Sequence, residues 1–202
     1  MEAAIKLAIT FTKYNEPEQE VNALASKLKQ LYPDATLLQF DDKTQRLKLP
    51  QHGGQWTLRF LTAFIATDCD VLIKIDPDTE ARRAATKIPN ADLFGNLVAG
   101  QVLGGAMGFS RAGAQKIVES GVLTDAKYQG QAFTYARYTG KNLRPGEPSW
   151  DKLLISCQDK ILADVVTRLN LKTAQWDEIS VWAEWWAKPG SGDYAFVHPK
   201  VK

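Results

Sequence analysis

The chain has few cysteines, few histidines and almost no net charge. Its two cysteines, Cys69 and Cys157, stand far apart and fit neither a disulfide framework nor a zinc-ligand spacing, so both are expected as buried, reduced thiols. A formal charge of +2 over 202 residues removes the electrostatic case for nucleic acid or an acidic membrane surface, and any phosphate must be held locally. No apolar stretch reaches bilayer-spanning length, which excludes a transmembrane segment. The first residues, up to Tyr14, lack both a basic n-region and a small-residue cleavage site, and the expectation is a cytoplasmic protein. No internal repeat is evident.

What is present is core-forming material. With 45% hydrophobic residues the chain is expected to form one domain over 1–202. Ile5 to Thr12 is an apolar, β-branched strand that gives way at Tyr14-Asn15-Glu16-Pro17 to helix-start chemistry. Val21, Leu24, Ala25, Leu28 and Leu31 recur at helical spacing, and Pro17 suits a first turn. Ala35 to Phe40 forms a second strand closed by Asp41-Asp42, and Lys43 to Gly54 is expected as loop. Trp56, Phe60, Leu61, Phe64 and Ile65 mark another helix, and Val71 to Ile75 a strand buried on both faces.

This βαβαβ order predicts an α/β, Rossmann-like fold, with a mostly parallel sheet flanked by helices and a ligand crevice beyond the strands' C-terminal ends. Phe94 to Phe109 adds strand and a glycine turn, and Ser110 is placed to cap a helix that Gly121 stops. From Ser149 on, Leu153, Leu154, Cys157, Ile161, Leu162, Val165, Val166 and Leu169 form a helical stripe. A tryptophan-rich segment from Trp176 to Trp186, a flexible link through Pro189 and a last strand, Tyr194 to His198, complete the chain.

The third strand ends in Asp76-Pro77-Asp78. In an extended chain residues two apart project to one side, so both carboxylates can address one point while Pro77 stiffens the link. Two carboxylates about 4 Å apart repel by roughly 4 kcal/mol at an effective dielectric near 20, and a shared divalent cation reverses that sign. Mn2+ and Mg2+ favour such oxygen ligands, with phosphates and water completing the shell. The same tripeptide also suits a plain turn.

Asp76-Pro77-Asp78-Thr79 resembles the Asp-X-Asp motif of GT-A glycosyltransferases, and three further segments agree in order. Tyr14-Asn15-Glu16-Pro17 is similar to the segment that follows strand one in family 2 members, and Asp41-Asp42 to their nucleotide-contacting acidic pair. Gly104-Gly105-Ala106-Met107-Gly108-Phe109-Ser110-Arg111 resembles their loop near the donor sugar and acceptor. The resemblance covers roughly residues 5 to 111 and implies a single GT-A-like domain, with a nucleotide-sugar half over about 1–100 and an acceptor half over about 101–202. It implies donor contacts at Thr10, Phe11, Thr12, Asn15, Asp41 and Asp42, and acceptor-side contacts at Gly104, Gly105 and Arg111. Mn2+ or Mg2+ would be held by Asp76 and Asp78, with His198 as a further ligand; His52 reads as a loop residue. A UDP- or GDP-sugar is the implied donor, and a glycan, lipid or protein the acceptor.

Inverting members of this family use an Asp or Glu at the start of a helix as base, and two positions compete. Gln158-Asp159-Lys160-Ile161-Leu162 resembles the family's Glu-Asp motif with Gln158 in place of the glutamate, while Asp159 also suits a capping box begun at Ser156. Asp151, after Pro148-Ser149-Trp150, suits a first turn equally. Trp182, Trp185 and Trp186 at helical spacing read as core or as sugar-stacking faces, and Arg59 and Arg111 as phosphate contacts or solvated side chains. Two other functions stand beside sugar transfer. Nucleotidyl transfer would call for a basic glycine-rich loop after strand one, which is missing. A nucleotide-sugar-binding module without turnover is the other.

Overall fold

A computed structural model of the chain describes residues 5–13, 16–41, 53–98, 100–125, 128, 158–181 and 192–198. Tyr14, Asn15, Asp42, His52, Asp151, Ser156, Cys157, Trp182, Trp185, Trp186 and Pro189 lie outside them, as does most of the stripe's start.

The main sheet has the order β2-β1-β3-β6-β5-β7. Strand β1 (Leu7–Lys13) pairs in parallel with β2 (Thr36–Asp41) on one side and β3 (Val71–Ile75) on the other. Helices α1 (Glu18–Leu31) and α2 (Gly53–Ile65) make the crossovers. Strand β6 (Gln101–Ser110) runs against both neighbours, β3 and β5 (Leu93–Val98), and β7 (Thr173–Gln175) again runs with β5. The sheet is thus mostly parallel with one reversed strand.

Each face of the sheet carries a core. Leu72, Met107 and Phe109 point to the side where α2, α3 (Arg111–Glu119) and α4 (Gln158–Leu169) contribute Phe60, Phe64, Ile117, Ile161 and Val165. Ile9, Phe11, Ile73 and Ile75 point the other way, onto Val21 and Leu28 of α1 and onto Trp176 and Phe196. Burying one such side chain contributes about 1.5–3 kcal/mol. Trp56 and Trp176 are core residues, and Cys69 is a buried free thiol.

Local chemistry sets the element ends. Ser110 Oγ accepts from the Gly113 amide at 3.0 Å at the start of α3, and Gly121 takes φ 66° just past its end. Pro17 is the N-cap of α1, one place earlier than a first-turn residue. Helix α2 begins at Gly53 and so takes in the last two residues of the segment expected to be loop; no sequence signal separates a glycine-led helix start from a turn.

A second sheet, β4-β9-β8, was not foreseen. Glu80 and Ala81 of β4 (Glu80–Ala81) pair antiparallel with Val197 and Phe196 of β9 (Phe196–His198), which runs parallel to β8 (Ile179–Val181). Strand β9 lies within the last strand expected over Tyr194 to His198, whereas β4 and β8 are too short to announce themselves by periodicity. Among the described residues no helix is long and apolar enough to cross a membrane.

Candidate metal and donor site

Strands β1, β2 and β3 are parallel, so their C-terminal ends share one edge, and there β3 delivers Asp76. The chain does not continue extended. The Thr79 amide donates to the Asp76 carbonyl at 3.0 Å, closing a turn across Pro77 and Asp78. Proline's fixed φ suits the second position of such a turn. The carboxylates therefore converge through a turn instead of a strand alternation, and the turn reading and the cation reading describe one structure.

The turn feeds directly into β4, and the pairing of Glu80 with Val197 brings the end of β9 back over it. His198 Nε2 lies 3.0 Å from Asp78 Oδ1 and 3.4 Å from Asp76 Oδ2. One ligand atom from each of Asp76, Asp78 and His198 falls within 4.8 Å of the others. Two carboxylate oxygens and one imidazole nitrogen form a donor set suited to Mn2+ or Mg2+. His198 Nδ1 is buried and, among the described residues, has no hydrogen-bond partner. The ring's polarity is thus directed through Nε2, toward the carboxylates. The donor set fits a divalent cation.

Strand β6 passes beside this cluster with an irregularity. Gly95 of β5 pairs with Met107 but Leu97 with Val102, so β6 carries extra residues between them, including Gly104 and Gly105. Such bulges bend a strand and commonly sit beside functional sites. The Asp76 amide and Thr79 Oγ1 both donate to the Gly105 carbonyl, at 2.9 and 3.2 Å. A Cβ on Gly105 would collide with the His198 ring, and one on Gly104 with the Asp159 carboxylate. The glycine pair makes room for a histidine on one side and an aspartate on the other.

Asp159 lies in the first turn of α4 and faces this pocket. Burial pushes its carboxyl above the usual range, opposed chiefly by the Lys74 ammonium and the Gly104 backbone; Asp76 raises it further and His198 lowers it. Lys74, on the otherwise apolar β3, is 5% exposed and donates to Asp76 Oδ1 at 2.5 Å and to the Gly104 carbonyl at 2.6 Å. Sequence reading missed it, although Asp76 stands only two residues on; its other partner, the Gly104 carbonyl, is supplied by β6. Lys74 thus pairs with Asp76 of the cluster and is the leading charge that opposes the rise at Asp159.

Other expected site residues have different surroundings. Phe11 is built into the core, and the Thr10 hydroxyl donates to the Leu38 carbonyl at 2.9 Å, so neither side chain is offered to a nucleotide. Thr12 is buried near the strand end, and Asp41 is exposed opposite Lys13 across the β1–β2 register. Arg111 corrects the acceptor-side expectation: its guanidinium donates to the carbonyls of Cys69, Ile65 and Thr67, capping the end of α2 over the Phe64 ring. Arg59 lies over the rings of Phe40 and Trp56 instead of a phosphate position. Gln158 donates to Thr57 Oγ1 at 3.1 Å.

A buried carboxylate that sequence reading also missed holds the second sheet. Glu178 accepts from the amides of Thr86 and Lys87, the Thr86 hydroxyl and Arg83. Burial alone would raise its pKa, but these donors outweigh it and bring the group down to about 2. Arg83 also reaches Asp193, tying the segment after β4 to the approach of β9.

No protein-family model matches the chain, and no curated protein matches it. Among solved structures, a glycosyltransferase involved in the glycosylation of the major capsid of PBCV-1 matches with a TM-score of 0.55 at 11% identity, over 98% of this chain and 95% of that one. The glycosyltransferase GlyE of Streptococcus pneumoniae TIGR4 gives a TM-score of 0.47 at 9% identity, over 87% of this chain and 46% of that one. The first likeness is one of fold along nearly the whole length of both chains.

Proposed function

We propose that this protein is a glycosyltransferase that moves a sugar from a nucleoside-diphosphate donor, UDP- or GDP-linked, to an acceptor hydroxyl, with Mn2+ or Mg2+ held by Asp76, Asp78 and His198. The observation that carries this reading is the convergence of those three side chains at the end of β3, in a fold shared with a glycosyltransferase of known structure. A divalent cation bound there supplies charge neutralisation for the departing diphosphate. The polypeptide supplies the rest. The ends of β1 and β2, with Thr12 and Asp41, flank the donor's nucleoside, and Asn15 and Asp42 belong to the same two chain segments. Gly104 and Gly105 make the room that lets Asp159 and His198 approach the strand.

Asp159 is the base in this reading. It sits across Gly104 from the metal ligands, and partial burial raises its affinity for a proton, which suits a group that must take one from an acceptor hydroxyl. Asp151 is the alternative base.

The test is a thermal-shift screen of UDP-, GDP-, CMP- and dTDP-sugars with and without Mn2+, comparing wild type with Asp78→Asn. One donor should give a Mn2+-dependent shift that the variant loses; if none does, the metal-diphosphate reading is wrong. Donor hydrolysis by the wild type then separates an enzyme from a module that only binds.

A further inference from the structure

Lys74 has no part in the reading above, yet it is among the most costly side chains in the protein to place. A buried ammonium carries a desolvation penalty of several kcal/mol unless it is well paired. Here it is paired twice, with Asp76 Oδ1 and with the Gly104 carbonyl. The effect is to divide the Asp76 carboxylate: Oδ1 is held by Lys74, and Oδ2 alone faces His198 Nε2. The Gly104 carbonyl, another hard oxygen beside the cluster, is engaged by the same ammonium.

We propose that Lys74 is a positioning residue that restricts Asp76 to one-oxygen coordination and thereby makes the Asp76, Asp78 and His198 site select Mn2+ and Mg2+ over Ca2+. The proposal rests on the metal reading given above. Ca2+ takes six to eight oxygens and readily uses both oxygens of a carboxylate, whereas Mg2+ demands an octahedral shell and commonly takes one or two carboxylates with waters. A site whose spare Asp76 oxygen and Gly104 carbonyl both accept from an ammonium has two fewer protein oxygens to offer the larger shell. The imidazole donor works in the same direction for Mn2+, since Ca2+ and Mg2+ are both oxygen-seeking ions.

The test titrates the 202-residue chain with Mn2+, followed by electron paramagnetic resonance of the free aquo ion, and then displaces bound Mn2+ with Ca2+. Loss of the ammonium charge strengthens the binding of both divalent ions, so the informative quantity is the ratio of the two affinities. In Lys74→Met the Mn2+ over Ca2+ preference should fall by about tenfold or more as Asp76 Oδ1 and the Gly104 carbonyl become available. Lys74→Gln, too short to reach Asp76, should show the same fall and provides the result if the methionine variant does not fold. An unchanged ratio in a folded variant overturns the role of Lys74. A wild type that binds no Mn2+ overturns instead the metal reading beneath it.

Discussion

His198 Nε2 stands 3.0 Å from Asp78 Oδ1 because Glu80, two residues after Asp78, pairs with Val197, the residue before His198. A three-stranded sheet thus closes the Asp76, Asp78 and His198 cluster, and the histidine from the far end of the sequence is placed by backbone pairing. Glu178 holds the neighbouring segment to the same sheet.

The glycine beside His198 provides the most local check. In Gly105→Ala the new methyl group would meet the imidazole ring and displace it from the carboxylates. Even the outer partners of metal ligands are worth about 10- to 100-fold in affinity, so displacing a ligand should weaken Mn2+ binding at least that much. Gly100→Ala is the control. Gly100 has φ 77° and open space around it, so the change should cost about 1 kcal/mol of stability in a denaturant melt and leave Mn2+ affinity unaltered.

Replacing Asp159 separates binding from turnover. Asp159→Asn keeps the shape of the side chain but cannot accept a proton, and kcat should fall by about 10²- to 10⁴-fold. Calorimetric Mn2+ binding should stay close to wild type, since Asp159 is not one of the clustered ligands. An Asp159→Asn enzyme with full kcat would pass the role of base to another group, Asp151 being next in line.

Acid should loosen the second sheet before the main one. Glu178 titrates at about 2 in the folded protein, below its ordinary value of 4.5. A depressed carboxylate contributes stability that is complete above its unfolded pKa and is lost as pH falls toward the folded one, so the window runs from about pH 4.5 down to about 2. Glu178→Gln should remove this part of the acid dependence. It should also lower stability at neutral pH by about 1.5–3 kcal/mol, the range for hydrogen bonds to a charged group. Denaturant midpoints measured across that window for both proteins decide it.

How much of this was legible beforehand depended on the range of the interaction. The third strand, Val71–Ile75, was readable to the residue, because a run buried on both faces between polar ends has one interpretation. The Ser110 cap and the Gly121 stop were equally plain, since each acts within a few residues. Asp76 and Asp78 were found as a pair, with extended chain and a plain turn both open. Thr79 closes the turn, a choice that depends on where β4 must go to reach β9.

By itself, then, the sequence determined the βαβαβ order of the first three strands, the two-faced burial of β3 and the presence of an acidic pair at its end, because periodicity and capping operate between near neighbours. Only the tertiary structure decided that His198 faces that pair, that Lys74 holds one oxygen of Asp76, that Asp159 lies across Gly104, and that Arg111 caps α2 instead of meeting a ligand. Apart from the Lys74–Asp76 pair, two residues apart, each of those facts joins residues whose spacing along the chain carries no signal. The charge and volume of such a side chain acquire a meaning only when the partner that neutralises it, or the glycine that makes room for it, is brought alongside.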